Sequence, residues 1–153
     1  MSLHTELARL PADGRLLGID LGEVRIGLAL SDPGQVVASA IATERAGEDV
    51  VSQLADAVVR HGAVGVVVGY PRTMRGREGQ AARRAREVAE GLREQADVPV
   101  VLWDERFTTV EAERVMLAQD ISRRARRQAI DRVAATLLLQ GVLDARRGGS
   151  AWR

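Results

Sequence analysis

Apolar residues come in short bursts along the first third of the chain, separated by small polar turns. Two such runs, LLGIDLG (16–22) and RIGLALSD (25–32), flank a tight turn and predict a β-hairpin, and QVVASAIATE (35–44) extends it to a three-stranded meander. The spacing then changes. Apolar positions 50, 51, 54, 55, 58 and 59 keep the rhythm of a helix, which Gly62 stops and in whose last turn His61 falls. AVGVVVGY (63–70) is a continuous β-branched run, as in a strand buried on both faces. Pro71 closes that run, and RTMRGREG follows as a polar, glycine-punctuated loop. A helix over Gln80–Gln95, a fifth strand in VPVVLWDE and a capping box of Thr108 with Glu111 come next. A last helix runs from about Ser122 to Arg146, with Ile130, Val133, Leu137, Leu138 and Val142 as its apolar stripe, and the tail RRGGSAWR is expected to fray. This order predicts one α/β domain over 1–153, with its core at about 15–146. Its five-stranded mixed sheet has three antiparallel strands, then two parallel ones, with helices on its faces.

Composition narrows the class. Hydrophobic residues make up 46% and charged residues 28%, the balance of a globular protein, and no apolar run approaches the ~20 residues of a membrane helix. The first residues are too polar for a secretory leader. No cysteine occurs, which excludes disulfides and thiolate zinc sites and fits a cytoplasmic location. Only His4 and His61 could serve as an imidazole base, and neither lies in a motif. All 22 basic residues are arginine, and ten of them cluster at 72, 75, 77, 83, 84 and 86 and at 123, 124, 126 and 127. Arginine clusters neutralise phosphates, but they also form ordinary solvated helix faces, so charge alone does not choose.

The acids are more informative. Asp20 interrupts an otherwise apolar strand, where an ionised carboxylate costs several kcal/mol unless it is paired or bound to metal. Glu105 ends the fifth strand and Asp131 lies in the last helix, four residues before Ala135. Each has a bland reading: Asp20 paired with Arg25, Glu105 with Arg106, Asp131 with Arg127. If Ala134 and Ala135 bring that helix close to the sheet, however, the three carboxylates converge, and they would repel unless divalent cations neutralise them. Oxygen-only ligands favour Mg²⁺ or Mn²⁺, and a carboxylate cluster holding two such ions performs phosphodiester hydrolysis.

The segments GIDLGEVRIGLALSD, VVVGYPRTMRGREG, DERFTTVEAERV and IDRVAATLLLQGVLD together resemble the YqgF/RuvX family, RNase H-like proteins related to the RuvC Holliday-junction resolvases. The resemblance spans about Leu16 to Asp144. It implies an RNase H-like fold and a hydrolase acting on ester bonds by a two-metal mechanism, leaving a 5′-phosphate and a 3′-hydroxyl. Asp20, Glu105 and Asp131 would be the metal ligands for two Mg²⁺ or Mn²⁺ ions. Asp104 is a weaker candidate, because neighbouring strand residues point to opposite faces. Arg25, Arg72, Arg75, Arg77, Arg106, Thr108 and Arg127 would touch phosphate, while Gly22, Gly69 and Gly76 would let backbone approach the substrate. Two departures stand out: Val24 replaces a usual lysine, and GYPRTMRG is more basic than the family's loop. The RuvC resolvases carry their second acid at the end of strand four, where Val68, Gly69 and Tyr70 offer none.

The substrate implied is the 5′ leader of 16S ribosomal RNA or, alternatively, a four-way DNA junction, the latter suiting a two-fold homodimer and the former a monomer. A non-catalytic nucleic-acid-binding or transcription-associated protein is the rival of another class. An actin-like ATP-binding fold also begins with a D-x-G hairpin but needs two such domains and a longer chain.

Overall fold

The structure is a computed structural model describing residues 7–70, 79–104 and 123–147, with side chains in the last segment from residue 133. Among the described residues eight elements follow in order: β1 (Arg15–Leu21), β2 (Arg25–Ser31), β3 (Ala38–Arg45), α1 (Val50–Arg60), β4 (Ala63–Tyr70), α2 (Gln80–Gln95), β5 (Val100–Asp104) and α3 (Arg123–Arg147). The strands form one sheet in the order β3-β2-β1-β4-β5. β1 pairs antiparallel with β2, as β2 does with β3, while β4 runs parallel to both β1 and β5. The expected mixed sheet is therefore present. The helix expected from Thr108 lies outside the described residues.

The sheet buries both faces. Leu17, Ile19, Ile26, Leu28, Val66, Val68 and Val100 pack on one side against Leu54 and Val58 of α1 and Val88, Ala89 and Leu92 of α2. Leu16, Ala29, Val67, Val101 and Trp103 pack on the other against Ala135, Leu138, Leu139, Val142 and Leu143 of α3. Of the expected stripe of α3, Leu138 and Val142 are buried, but the buried face is turned from the rest of it. Val133 and Leu137 are only half-buried and Ala134, Ala135 and Leu139 take the inner positions. Gly18 explains the shift. A Cβ there would lie 2.9 Å from Leu139 Cβ and 3.4 Å from the Ala135 carbonyl oxygen, so the bare backbone of β1 admits the helix closely. The expectation that Ala134 and Ala135 face the sheet holds.

Polar contacts at one end fix which way α3 runs. The Arg146 guanidinium donates to Gln35 Oε1 (2.6 Å) and to the carbonyls of Leu10 (2.9 Å) and Pro11 (3.0 Å). Gln35 Nε2 donates to the Pro11 and Gly14 carbonyls, at 2.9 and 3.0 Å. Gln140 donates to the Val36 carbonyl and accepts from the Ala38 amide, both at 2.9 Å. The C-terminal end of α3 is therefore held beside the start of β1, and the helix runs antiparallel to that strand. The turn it grips is itself tied down, because Asp32 Oδ1 accepts the amides of Val36 (2.7 Å) and Val37 (2.8 Å) while Gln35 takes a φ of 58°. Among the described residues no helix is long and apolar enough to cross a membrane.

Two predictions follow from this end of the molecule. Arg146→Met keeps an apolar stem but removes the three hydrogen bonds, and should lower unfolding free energy in urea by about 2 kcal/mol; an unchanged midpoint would contradict the clamp. The amides of Val37 and Val36 hold the Asp32 carboxyl below its ordinary range. A depressed folded pKa stabilises above the unfolded pKa and loses that contribution as pH falls through the folded one. The melting-temperature advantage of wild type over Asp32→Asn should therefore be constant near neutrality and shrink in acid, and a constant advantage at every pH would count against it.

Candidate functional site

Strand register brings five side-chain positions into one row on the α3 face of the sheet. Asp20 pairs with Gly27 on β2, and Gly27 with Thr43 on β3. On the other side the parallel register advances from Ile19↔Val68 to place Gly69 beside Asp20, and Gly69 pairs with Trp103 on β5. Alternation assigns the face: Leu16, Ala29, Val67, Val101 and Trp103 all pack toward α3. The row thus reads Thr43, Gly27, Asp20, Gly69, Trp103. A half-buried carboxylate stands at its centre with a residue lacking a side chain on either flank.

Asp104 occupies the opposite face. It pairs with Tyr70, which packs with Leu102 on the α1–α2 side. Position 131 belongs to α3, one turn before Ala135. Because α3 runs antiparallel to β1, that turn carries the backbone about 6 Å from Ala135 toward the end of the sheet where Asp20 stands. From Gly18, beneath Ala135, to Asp20 is about 6.6 Å along the strand, so the two advances match. The side chain of Asp131 lies outside the described residues, as do Glu105, Arg72, Arg75, Gly76, Arg77, Arg106 and Thr108 and the side chain of Arg127. Among the described residues no three acids or histidines gather to hold a metal. The donor chemistry fits hard divalent cations nonetheless, since Asp20 supplies carboxylate oxygen and the chain has no cysteine thiolate.

The turn after Asp20 is built with little freedom. The Gly22 amide donates to the Arg25 carbonyl at 2.8 Å. A Cβ on Gly22 would lie 2.6 Å from that same oxygen, so the turn closes only over glycine. Arg84 of α2 donates from Nη1 to the Gly22 carbonyl, bracing the turn from the other side. Sequence reasoning grouped Arg84 with a charged run, and only the fold reveals its contact. It also lines a cleft of about 390 Å³ with Leu21, Glu23, Gln80, Arg83 and Glu87, between the turn and the start of α2. Arg25 is half-buried and by alternation shares the face of Asp20, while Arg83 and Arg86 are exposed.

A sheet of this order, carrying a carboxylate on its first strand beneath a closing helix, defines a RuvC-like α/β fold. RuvC of T. thermophilus in complex with a Holliday junction substrate superposes with a TM-score of 0.55 at 19% identity, covering 88% of this chain and 96% of that one. The fowlpox virus resolvase in complex with Holliday junction DNA gives 0.54 at 12% identity, covering 87% and 99%. Residues 14–145 match the family model described as "RuvX: Holliday junction resolvase", and the chain belongs to that family. It is 45% identical over 133 residues to a "Putative pre-16S rRNA nuclease" of Pelotomaculum thermopropionicum, covering 85% of this chain and 86% of that one. A protein of the same name from Geobacillus kaustophilus is 42% identical over 138 residues, covering 87% and 99%.

Gly22→Ala should force the turn open, lowering stability by about 1–3 kcal/mol and raising the hydrogen-exchange rate of the residue 22 amide. Wild-type exchange in a folded variant would show that the turn tolerates a side chain.

Proposed function

We propose that this chain is a divalent-metal-dependent nuclease that trims the 5′ end of pre-16S ribosomal RNA. The observation that carries the reading is the placement of Asp20. A half-buried carboxylate stands between two glycine positions on the face that α3 covers, inside a chain of the RuvX family. Nuclease character accords with the family's description and with the relatives' names, and the ribosomal RNA substrate rests on those names alone.

Asp20, Glu105 and Asp131 would hold two Mg²⁺ or Mn²⁺ ions. When bound, such a pair supplies Lewis acidity at the phosphodiester and balances the charge of the departing oxygen. Asp104 is turned away from α3, which supports Glu105, the next residue in the chain, as the second acid, and the matched advance of α3 and β1 supports Asp131. Around them the chain's own task is to bind and orient. Gly22 keeps the turn after Asp20 low and Arg84 braces it, while Arg25, on the same face, offers a guanidinium to a phosphate of the strand being cut. The basic segment at 72–77 would follow the backbone without reading bases.

A second reading, cleavage of four-way DNA junctions, is favoured by the family's description. Its two-fold symmetry would ask for two copies of the chain, whereas RNA trimming needs one.

Asp20→Asn should reduce cleavage by about 10²–10³-fold, the scale for removing one group that stabilises developing charge. Melting temperature and nucleic-acid affinity should stay near wild type. The assay compares both proteins in Mn²⁺, Mg²⁺ and EDTA on an RNA bearing the 16S 5′ leader and on a four-way junction. Cleavage of the RNA alone supports the first reading and of the junction alone the second. Activity that survives Asp20→Asn or EDTA refutes both.

A further inference from the structure

The cleft beside the β1–β2 turn is a feature that the proposed reaction leaves idle. It holds about 390 Å³ between that turn and the start of α2, within the range of clefts that take a small ligand, roughly 300–1,000 Å³. Both signs of charge line it: Arg83, Arg84 and Glu87 from α2, and Glu23 from the turn. These charges do not simply cancel in pairs. Arg83 and Glu87 have the spacing of an intrahelical ion pair, yet among the described residues neither enters one, nor does Glu23.

Arg84 is held in place. Its Nη1 donates to the Gly22 carbonyl, which anchors the guanidinium between the turn and the cleft. A guanidinium carries several N–H donors in a planar fork, and this bond uses one of them. The donors left over, with those of Arg83, suit a phosphate, which such forks bind with two bonds at once. The two carboxylates suit the opposite partner. Ionised, they only accept hydrogen bonds and they repel a phosphate, so a hydroxyl donor matches them. One nucleotide of RNA brings both groups together, a phosphate and a 2′-hydroxyl that DNA lacks.

The cleft also lies where the strand being cut could reach it. Asp20 and Leu21 are consecutive on β1, and alternation turns Asp20 toward α3 and Leu21 toward α1 and α2. Leu21 lines the cleft, and the Gly22 turn follows both residues directly. A nucleic-acid backbone that leaves Asp20 across this turn enters the cleft with a neighbouring nucleotide.

We infer that the cleft reads the sugar of a nucleotide beside the cut: Arg83 and Arg84 hold its phosphate, the carboxylates of Glu23 and Glu87 receive its 2′-hydroxyl, and RNA is thereby preferred over DNA. The inference rests on the reading of the chain as an RNA nuclease, and it names the residues that choose the sugar.

The test measures binding by fluorescence anisotropy in EDTA, at one salt concentration, so that no cleavage intervenes. The probes are an RNA bearing the 16S 5′ leader, its DNA counterpart, and a set of leader RNAs that each carry one 2′-deoxynucleotide. Wild type should bind the RNA about tenfold more tightly than the DNA, the scale of one hydrogen bond to a charged group. One 2′-deoxy position beside the cut should reproduce that loss. In Glu23→Ala/Glu87→Ala the affinities for RNA and DNA should come within about twofold of each other, and the sensitive 2′-deoxy position should fall silent. The melting temperature of this variant should stay near that of wild type, because both residues are exposed. Arg83→Ala should weaken RNA and DNA binding alike and leave their ratio unchanged. A wild-type ratio in the double variant, or a wild type without preference for RNA, overturns the inference. So does a loss spread evenly over every 2′-deoxy position. If such a chain still cuts the leader RNA in Mn²⁺, the nuclease reading stands and only the choice of sugar fails, whereas binding to neither nucleic acid overturns both.

Discussion

The close docking of α3 against β1 is the contact on which the rest of the molecule depends. Gly18 removes the side chain that would hold the helix away, and Ala135 and Leu139 fill the space this leaves. The clamp of Arg146, Gln35 and Gln140 then fixes direction as well as distance, because it holds the helix's C-terminal end beside the start of β1. Reversing the helix would send its earlier residues to the far end of the sheet, away from Asp20. A polar network remote from the acids thus decides which part of α3 stands near them.

Asp20 answers to the same geometry. In a fully packed strand an ionised carboxylate is costly. Here it stands in a row whose immediate neighbours are glycines, and it is half-buried beneath the approaching helix. Such a position keeps the carboxylate near the low-dielectric sheet, where interaction with a cation is strong, without enclosing it completely. Across the sheet, Asp104 has the same chemistry but packs on the side of α1 and α2. One residue's difference in a β-strand is enough to separate two acids by the thickness of a sheet.

Much of this was legible in the sequence, and the reasons are specific. β4 and α2 begin and end where a continuous β-branched run and a helical spacing placed them. Gly22 could be read from the tight turn, and Ala134 and Ala135 from their small size. Leu138 and Val142 of the expected α3 stripe are buried, but Val133 and Leu137 yield the inner positions to Ala134, Ala135 and Leu139, because Gly18 decides which helix face can approach. Thr43 had no signal at all. Its face depends on a bulge in β3, and a bulge is a property of the pairing of two strands, not of either alone. The contact of Arg84 with the Gly22 carbonyl joins residues 62 positions apart, which no local pattern encodes.

The most direct test of the account is to locate Mn²⁺ by anomalous diffraction in crystals grown with the metal. An anomalous peak on the α3 face of the sheet, about 2.0–2.3 Å from an Asp20 carboxylate oxygen, is the predicted result. A peak on the side of Asp104, or well-ordered density for Asp20 with no metal beside it at millimolar Mn²⁺, would contradict it.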